Sequence, residues 1–132
     1  MYPAKWSSVA LIWCIYGAMA DAPRPIAPGT WGGLHAVLEV SDKGAEIEFD
    51  CARGRVDGPL AVDAHGAFDL PGTFTPEHGG PVRRDEQPPK LEARYTGRVE
   101  GKAMTLTVFR EGKEIGSFTL TQGSPGRLWK CR

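Results

Sequence analysis

An all-β fold of about eight antiparallel strands is the class this sequence predicts, and three observations predict it. Across residues 91–121 apolar and polar side chains alternate with a period of two through three consecutive runs, as half-buried strands do. The chain carries 17 glycines and 11 prolines among 132 residues, scattered at the spacing of turns. Beyond residue 20 no stretch shows the 3.6-residue apolar period of an amphipathic helix. Short strands, tight turns and one polar face make an antiparallel meander. Such a meander buries its apolar face by closing into a small barrel or, as the alternative, by folding into a β-sandwich.

Taken in order, residues 1–20 have the three parts of an export signal: Lys5 as the positive end, an apolar run over residues 9–18, and Ala18-Met19-Ala20 as a small-x-small cleavage site. The apolar run is about half of the roughly 20 residues that a bilayer-spanning helix needs, and Asp21 and Pro23 follow at once. No membrane span is therefore expected in the mature chain, and a periplasmic or secreted location is. Cys14 follows Trp13, which is too large to precede a lipidated cysteine, so Cys14 is expected to leave with the signal.

Residues 21–29 form a proline-rich lead-in that should run extended over the surface. Residues 30–132 then suit one domain. Leu34, Ala36, Leu38 and Val40 give the first inward face, Ser41-Asp42-Lys43-Gly44 a turn, and Ala45, Ile47, Phe49 and Cys51 the second inward face. Val56 and Leu60 continue with the opposite parity, which predicts a bulge or corner near Ala52-Arg53-Gly54. Asp63-Ala64-His65-Gly66 is a turn. Phe68, Leu70, Gly72 and Phe74 form the next inward face, interrupted by Pro71, which strand interiors tolerate poorly.

Residues 76–90 show no periodicity and read as one long loop. The run 91–100 turns at Gly101-Lys102, and Met104, Leu106 and Val108 alternate until Glu111-Gly112. Phe118 and Leu120 carry the following strand, Gly123-Ser124-Pro125-Gly126 a turn, and residues 127–132 the expected last strand.

With Cys14 removed, Cys51 and Cys131 remain as an even pair in a chain sent to an oxidising space, and a disulfide between them is expected. Of 16 basic and 16 acidic residues, Lys5 leaves with the signal; the near balance that remains gives no electrostatic case for a nucleic-acid partner. His35, His65 and His78 are single and far apart, so no metal site is expected. There is no Gly-x-Ser-x-Gly nucleophile motif, and Gly32-Gly33 and Gly79-Gly80 lack the helix and lysine of a phosphate cradle. Glu46, Glu48 and Asp50 share one strand face, a spacing that suits either paired acids or a solvated outer face, and the second is favoured. Neither catalysis nor a cofactor is expected.

Two resemblances can be drawn. Gly29-Thr30-Trp31 ahead of the first strand, with Arg127 near the end, resembles the Gly-x-Trp and distant arginine signature of the calycin group, the lipocalins and avidins. That resemblance implies a lipocalin-like barrel whose floor is Trp31 packed against Arg127. A longer stretch, residues 29–131, resembles a group of small uncharacterised exported bacterial proteins through Gly29-Thr30-Trp31-Gly32-Gly33, Glu48-Phe49-Asp50-Cys51-Ala52, Gly66-Ala67-Phe68 with Gly72-Thr73, and Tyr95-Thr96-Gly97 through Met104-Thr105-Leu106. It implies export and one domain, and no activity.

Two surfaces offer binding. The barrel mouth and interior, with Trp31, His35, Tyr95, Arg127 and Trp129, would hold a small apolar ligand, unless the aromatics simply fill the core. The 76–90 loop, with His78, Arg83 and Arg84, would engage an extracytoplasmic protein as an inhibitor does. A binding protein of the first kind is the leading expectation, an interaction module the second and an unrecognised enzyme the third.

Overall fold

The computed structural model describes residues 23–77 and 89–131. Ten strands are present: β1 (Arg24–Pro25), β2 (Gly29–Gly33), β3 (Ala36–Val40), β4 (Gly44–Phe49), β5 (Ala52–Asp57), β6 (Ala61–Val62), β7 (Ala67–Pro76), β8 (Leu91–Glu100), β9 (Ala103–Arg110) and β10 (Lys113–Gln122). Eight of them close an antiparallel barrel in the order β10-β2-β3-β4-β5-β7-β8-β9, and β1 pairs with β6 apart from it. The barrel, rather than the sandwich, is the architecture. Closure removes every free strand edge, which is how an eight-stranded sheet of this size avoids edge pairing.

The eight strands are not the eight expected. Gly29-Thr30-Trp31-Gly32-Gly33, expected to open the domain ahead of the first strand, is itself β2 and seals the barrel through Leu120 to Gly33 and Gln122 to Trp31 pairing. The expected last strand over residues 127–132 is absent from the described part of that range: beyond a single parallel bridge from Arg127 to Leu34, it runs as an irregular strap. The first turn falls at Leu34 and His35, so Leu34 points out to solvent, 62% exposed, instead of inward. His35 takes a positive φ of 70° there, which histidine tolerates better than most residues.

The corner expected near Ala52-Arg53-Gly54 lies two residues earlier. Asp50 and Cys51 form the two-residue link between β4 and β5, after which Ala52, Gly54 and Val56 turn inward. Cys51, expected among the core residues, is exposed in that link. The disulfide with Cys131 is formed nonetheless, with Cα atoms 5.3 Å apart. Pro71 stands one residue beyond the β5–β7 ladder, which ends at Val56 and Gly72, so it has a strand neighbour on one side only, the placement in which a sheet accepts proline.

The two ends of the barrel differ. At one end Ile26 donates its N–H to the Leu60 carbonyl at 2.9 Å, and the β1–β6 pair draws Ile26, Leu60 and Val62 over the opening. The lead-in is thus extended, as expected, but bonded to the barrel as a plug. Inside, Trp31, Leu38, Ile47, Phe68, Tyr95 and Leu106 belong to one continuous core. Outward positions of β8 are Glu92, Arg94, Arg98 and Glu100; an apolar inside and charged outside reverse the pattern of a lipid-facing barrel.

From Ser124 onward the strap crosses the outer face of β2, and this needs a residue without a side chain beneath it. A Cβ at Gly32 would meet the Gly126 nitrogen and the Ser124 carbonyl oxygen at 2.3 Å, both backbone atoms. Gly32→Ala should therefore lift the strap and cost about 1–3 kcal/mol, as overpacking does. Urea unfolding of the variant measures the loss; an unchanged midpoint would show that the strap is not seated there.

Candidate functional site

At the end opposite the plug, the β2–β3 turn, the β4–β5 link, the end of β7 and the β9–β10 turn surround an open mouth. A pocket of about 240 Å³ lies in it, lined by His35, Phe49, Asp50, Phe74, Ile115 and Phe118 among others. Phe49 is the centre of the apolar wall, with ring centroids 5.7 Å from Phe74 and 5.2 Å from Phe118. Tilted aromatic contacts of this kind hold a rigid apolar surface. A bulge in β10 between Glu114 and Gly116 pushes Ile115 out at the rim, where it is 46% exposed. A larger depression of about 720 Å³ lies on the outer faces of β7, β8 and β9, but Asp57, Glu92, Arg94 and Glu111 line it as an open charged surface.

The polar side of the mouth is built by two turns and the strap. Asp50 accepts from Nδ1 of His35 through Oδ2 at 2.5 Å and from the Trp129 backbone N–H through Oδ1 at 2.7 Å. The His35 ring lies against Trp129, centroids 4.6 Å apart, and the His35 backbone N–H donates to the Arg127 carbonyl at 2.8 Å. The strap is tied further by Lys130, whose Nζ donates to the Phe49 carbonyl at 2.9 Å and lies 3.5 Å from Glu77, itself 3.1 Å from Arg53. Cys131 completes the seam: its N–H donates to the Asp50 carbonyl, and its sulfur bonds Cys51.

With Nδ1 committed to Asp50, Nε2 is the ring nitrogen left to face an occupant, and it has no hydrogen-bond partner among the described residues. A carboxylate behind an imidazole fixes both its tautomer and its orientation. Burial alone would raise the Asp50 ionisation, but the Trp129 N–H and the His35 ring together hold it below the ordinary value of 3.8. A carboxyl lowered on folding stabilises the folded chain above its unfolded value, and that contribution is lost as pH falls through the lower folded value. The seam should therefore loosen in acid below about pH 4, read as a change in Trp129 fluorescence. Asp50→Asn should show no such acid step; a step of equal size in the variant would place its origin elsewhere.

Of the five residues expected at a ligand site, His35 and Trp129 meet at the mouth. Arg127 is also there, yet its guanidinium lies 5.1 Å over the Trp129 ring and not on Trp31, so the floor implied by the calycin resemblance is not formed by that pair. Trp31 and Tyr95, expected as pocket walls, are 2% and 0% exposed and fill the interior. The Tyr95 hydroxyl is used within the fold, donating to the Thr73 carbonyl at 2.6 Å. His78, Arg83 and Arg84, expected to face a partner, lie outside the described residues. Glu46 and Glu48 point outward opposite Arg55 and Arg53, as a solvated face requires, while Asp50, on the same parity, is drawn into the mouth. Among the described residues no group of three or more histidine, cysteine or acidic side chains is placed to hold a metal ion.

Comparison with known proteins finds no matching family model, no matching curated relative and no matching solved structure.

Proposed function

We propose that this is an exported, non-catalytic binding protein that holds a small apolar molecule at the mouth of its barrel, in the periplasm or outside the cell. The observation that carries the reading is the asymmetry of the ends: one is plugged by Ile26, Leu60 and Val62, the other opens on an aromatic pocket with an oriented imidazole at its rim. Pockets with apolar walls and a few fixed polar groups are the usual form of small-molecule sites. At about 240 Å³ this one lies below the roughly 300–1,000 Å³ of sites for drug-sized ligands, so the occupant is small.

The export signal read in residues 1–20, the disulfide and the water-facing outer surface support the compartment. Among the described residues no helix is long and apolar enough to cross a membrane. Two measurements test the reading. Native mass spectrometry of the protein taken from its own compartment should show a bound small mass that is lost on denaturation. Phe118→Arg, which sets a charge in the apolar wall, should weaken quenching of Trp129 by a small aromatic probe at least tenfold, whereas Glu92→Arg on the outer face should not. Equal quenching in both variants would remove the mouth as the site.

A further inference from the structure

Among the described residues, Arg110 at the mouth has a buried Nε that neither the barrel nor the strap bonds. In β9 the buried Met104, Leu106 and Val108 set the inward parity, and Arg110 continues it. Val108 pairs with Gly116 across the β10 bulge and Arg110 with Lys113; Val108, Ile115 and Gly116 all line the pocket. Arg110 therefore stands one inward step beyond the pocket wall, at the rim. Its Nε is buried and has no hydrogen-bond partner. The acid beside it among the described residues is Glu111, 3.9 Å from the terminal nitrogen and turned to solvent with its side chain 86% exposed. Asp50 is directed instead to the His35 ring and the Trp129 N–H.

A buried donor without an acceptor is disfavoured in folded proteins and calls for a missing partner. A guanidinium is a planar fork whose geometry matches a carboxylate. We infer that the occupant of the mouth is a small apolar carboxylate, with its hydrocarbon body against Phe49, Phe74 and Phe118 and its anionic head on Arg110. This rests on the mouth-pocket reading above and adds the chemistry of the ligand. The pocket volume limits the body to about one substituted ring or a short branched chain.

The test is a calorimetric and fluorescence titration of the oxidised mature protein at low salt with 4-methylbenzoate, 4-methylbenzamide and p-xylene, which share a ring and differ in the head group. The benzoate should bind at least tenfold tighter than the amide. In Arg110→Met that preference should vanish while p-xylene binding stays within twofold, and Arg110→Lys should restore only part of it, since a point charge replaces the fork. Stability adds an independent reading: a structural arginine would lower the unfolding midpoint on loss, whereas removing an unsatisfied donor should leave it unchanged or raise it. Equal binding of benzoate and amide, or a preference that survives in Arg110→Met, overturns the inference; if the variant does not fold, the ligand series on the parent protein decides. Should p-xylene bind with no carboxylate preference, the mouth-pocket reading stands and the carboxylate falls. Should none of the three bind, both fall.

Discussion

Replacing Cys51 and Cys131 together by alanine should lower the free energy of unfolding by about 4 kcal/mol, the size expected for opening a loop this long. The two cysteines are 80 residues apart in sequence, and the loop they close runs from the β4–β5 link through β5 to β10 to the end of the strap. The barrel ladder itself closes through β10 and β2 without the bond, so at moderate temperature the reduced protein should keep its strands and lose the strap. Trp129 is 47% exposed even when seated on His35 and Asp50, so its release should shift its emission to the red while the far-ultraviolet spectrum stays nearly unchanged. Cleavage after Arg127 or Lys130 by a trace of trypsin should then become fast. Quantitative free thiols in the native oxidised protein, or a midpoint insensitive to reductant, would refute it.

Where the sequence was legible, one signal carried it. Strict alternation in β8 and β9 set those strands, their turns and their inward faces, because one apolar and one charged face admit a single register. Alternation failed at the two ends of the chain for different physical reasons. β2 contains one large apolar residue, Trp31, among three glycines, so it shows no alternation; yet Gly32 is needed because the strap backbone lies on it. Residues 127–131 contain Leu128 and Trp129 and look like a strand, but their backbone is directed to the Asp50 carboxylate, the Gly33 carbonyl and the Asp50 carbonyl instead of a ladder.

The site was harder still. His35 and Asp50 are 15 residues apart, with no spacing rule to connect them, and they meet because the β2–β3 turn and the β4–β5 link, separated by the β3–β4 turn at the other end, fall at the same end of the barrel. Arg110 is legible from parity alone: extending the alternation of Met104, Leu106 and Val108 by one step places it inside. The general lesson is that period-two patterns report which way a side chain points, while the end of the barrel at which it points depends on closure.

Whether the barrel is filled or hollow turns on Tyr95, and Tyr95→Ala should cost about 3–5 kcal/mol, as deletion of a buried aromatic does. The ring crosses the interior from β8 toward β5 and β7, and the sequence clears space for it with glycine: a Cβ on Gly54 would meet the hydroxyl at 2.2 Å and one on Gly72 the ring at 2.9 Å. Tyr95→Phe keeps the ring and removes the donor to Thr73, so its smaller cost, about 1–2 kcal/mol, isolates the hydrogen bond. Burial pushes the hydroxyl's ionisation well above its ordinary value of 10.0, so the folded chain holds a proton there that the unfolded chain releases. Stability should accordingly fall as pH rises past about 10, and this fall should be reduced in Tyr95→Phe. Urea unfolding of the three proteins measures all of this. Had Tyr95 been the wall of a hollow interior, its loss to alanine would enlarge the cavity, leave stability within about 1 kcal/mol and tighten binding of a larger apolar probe; that combination would move the site from the mouth into the barrel.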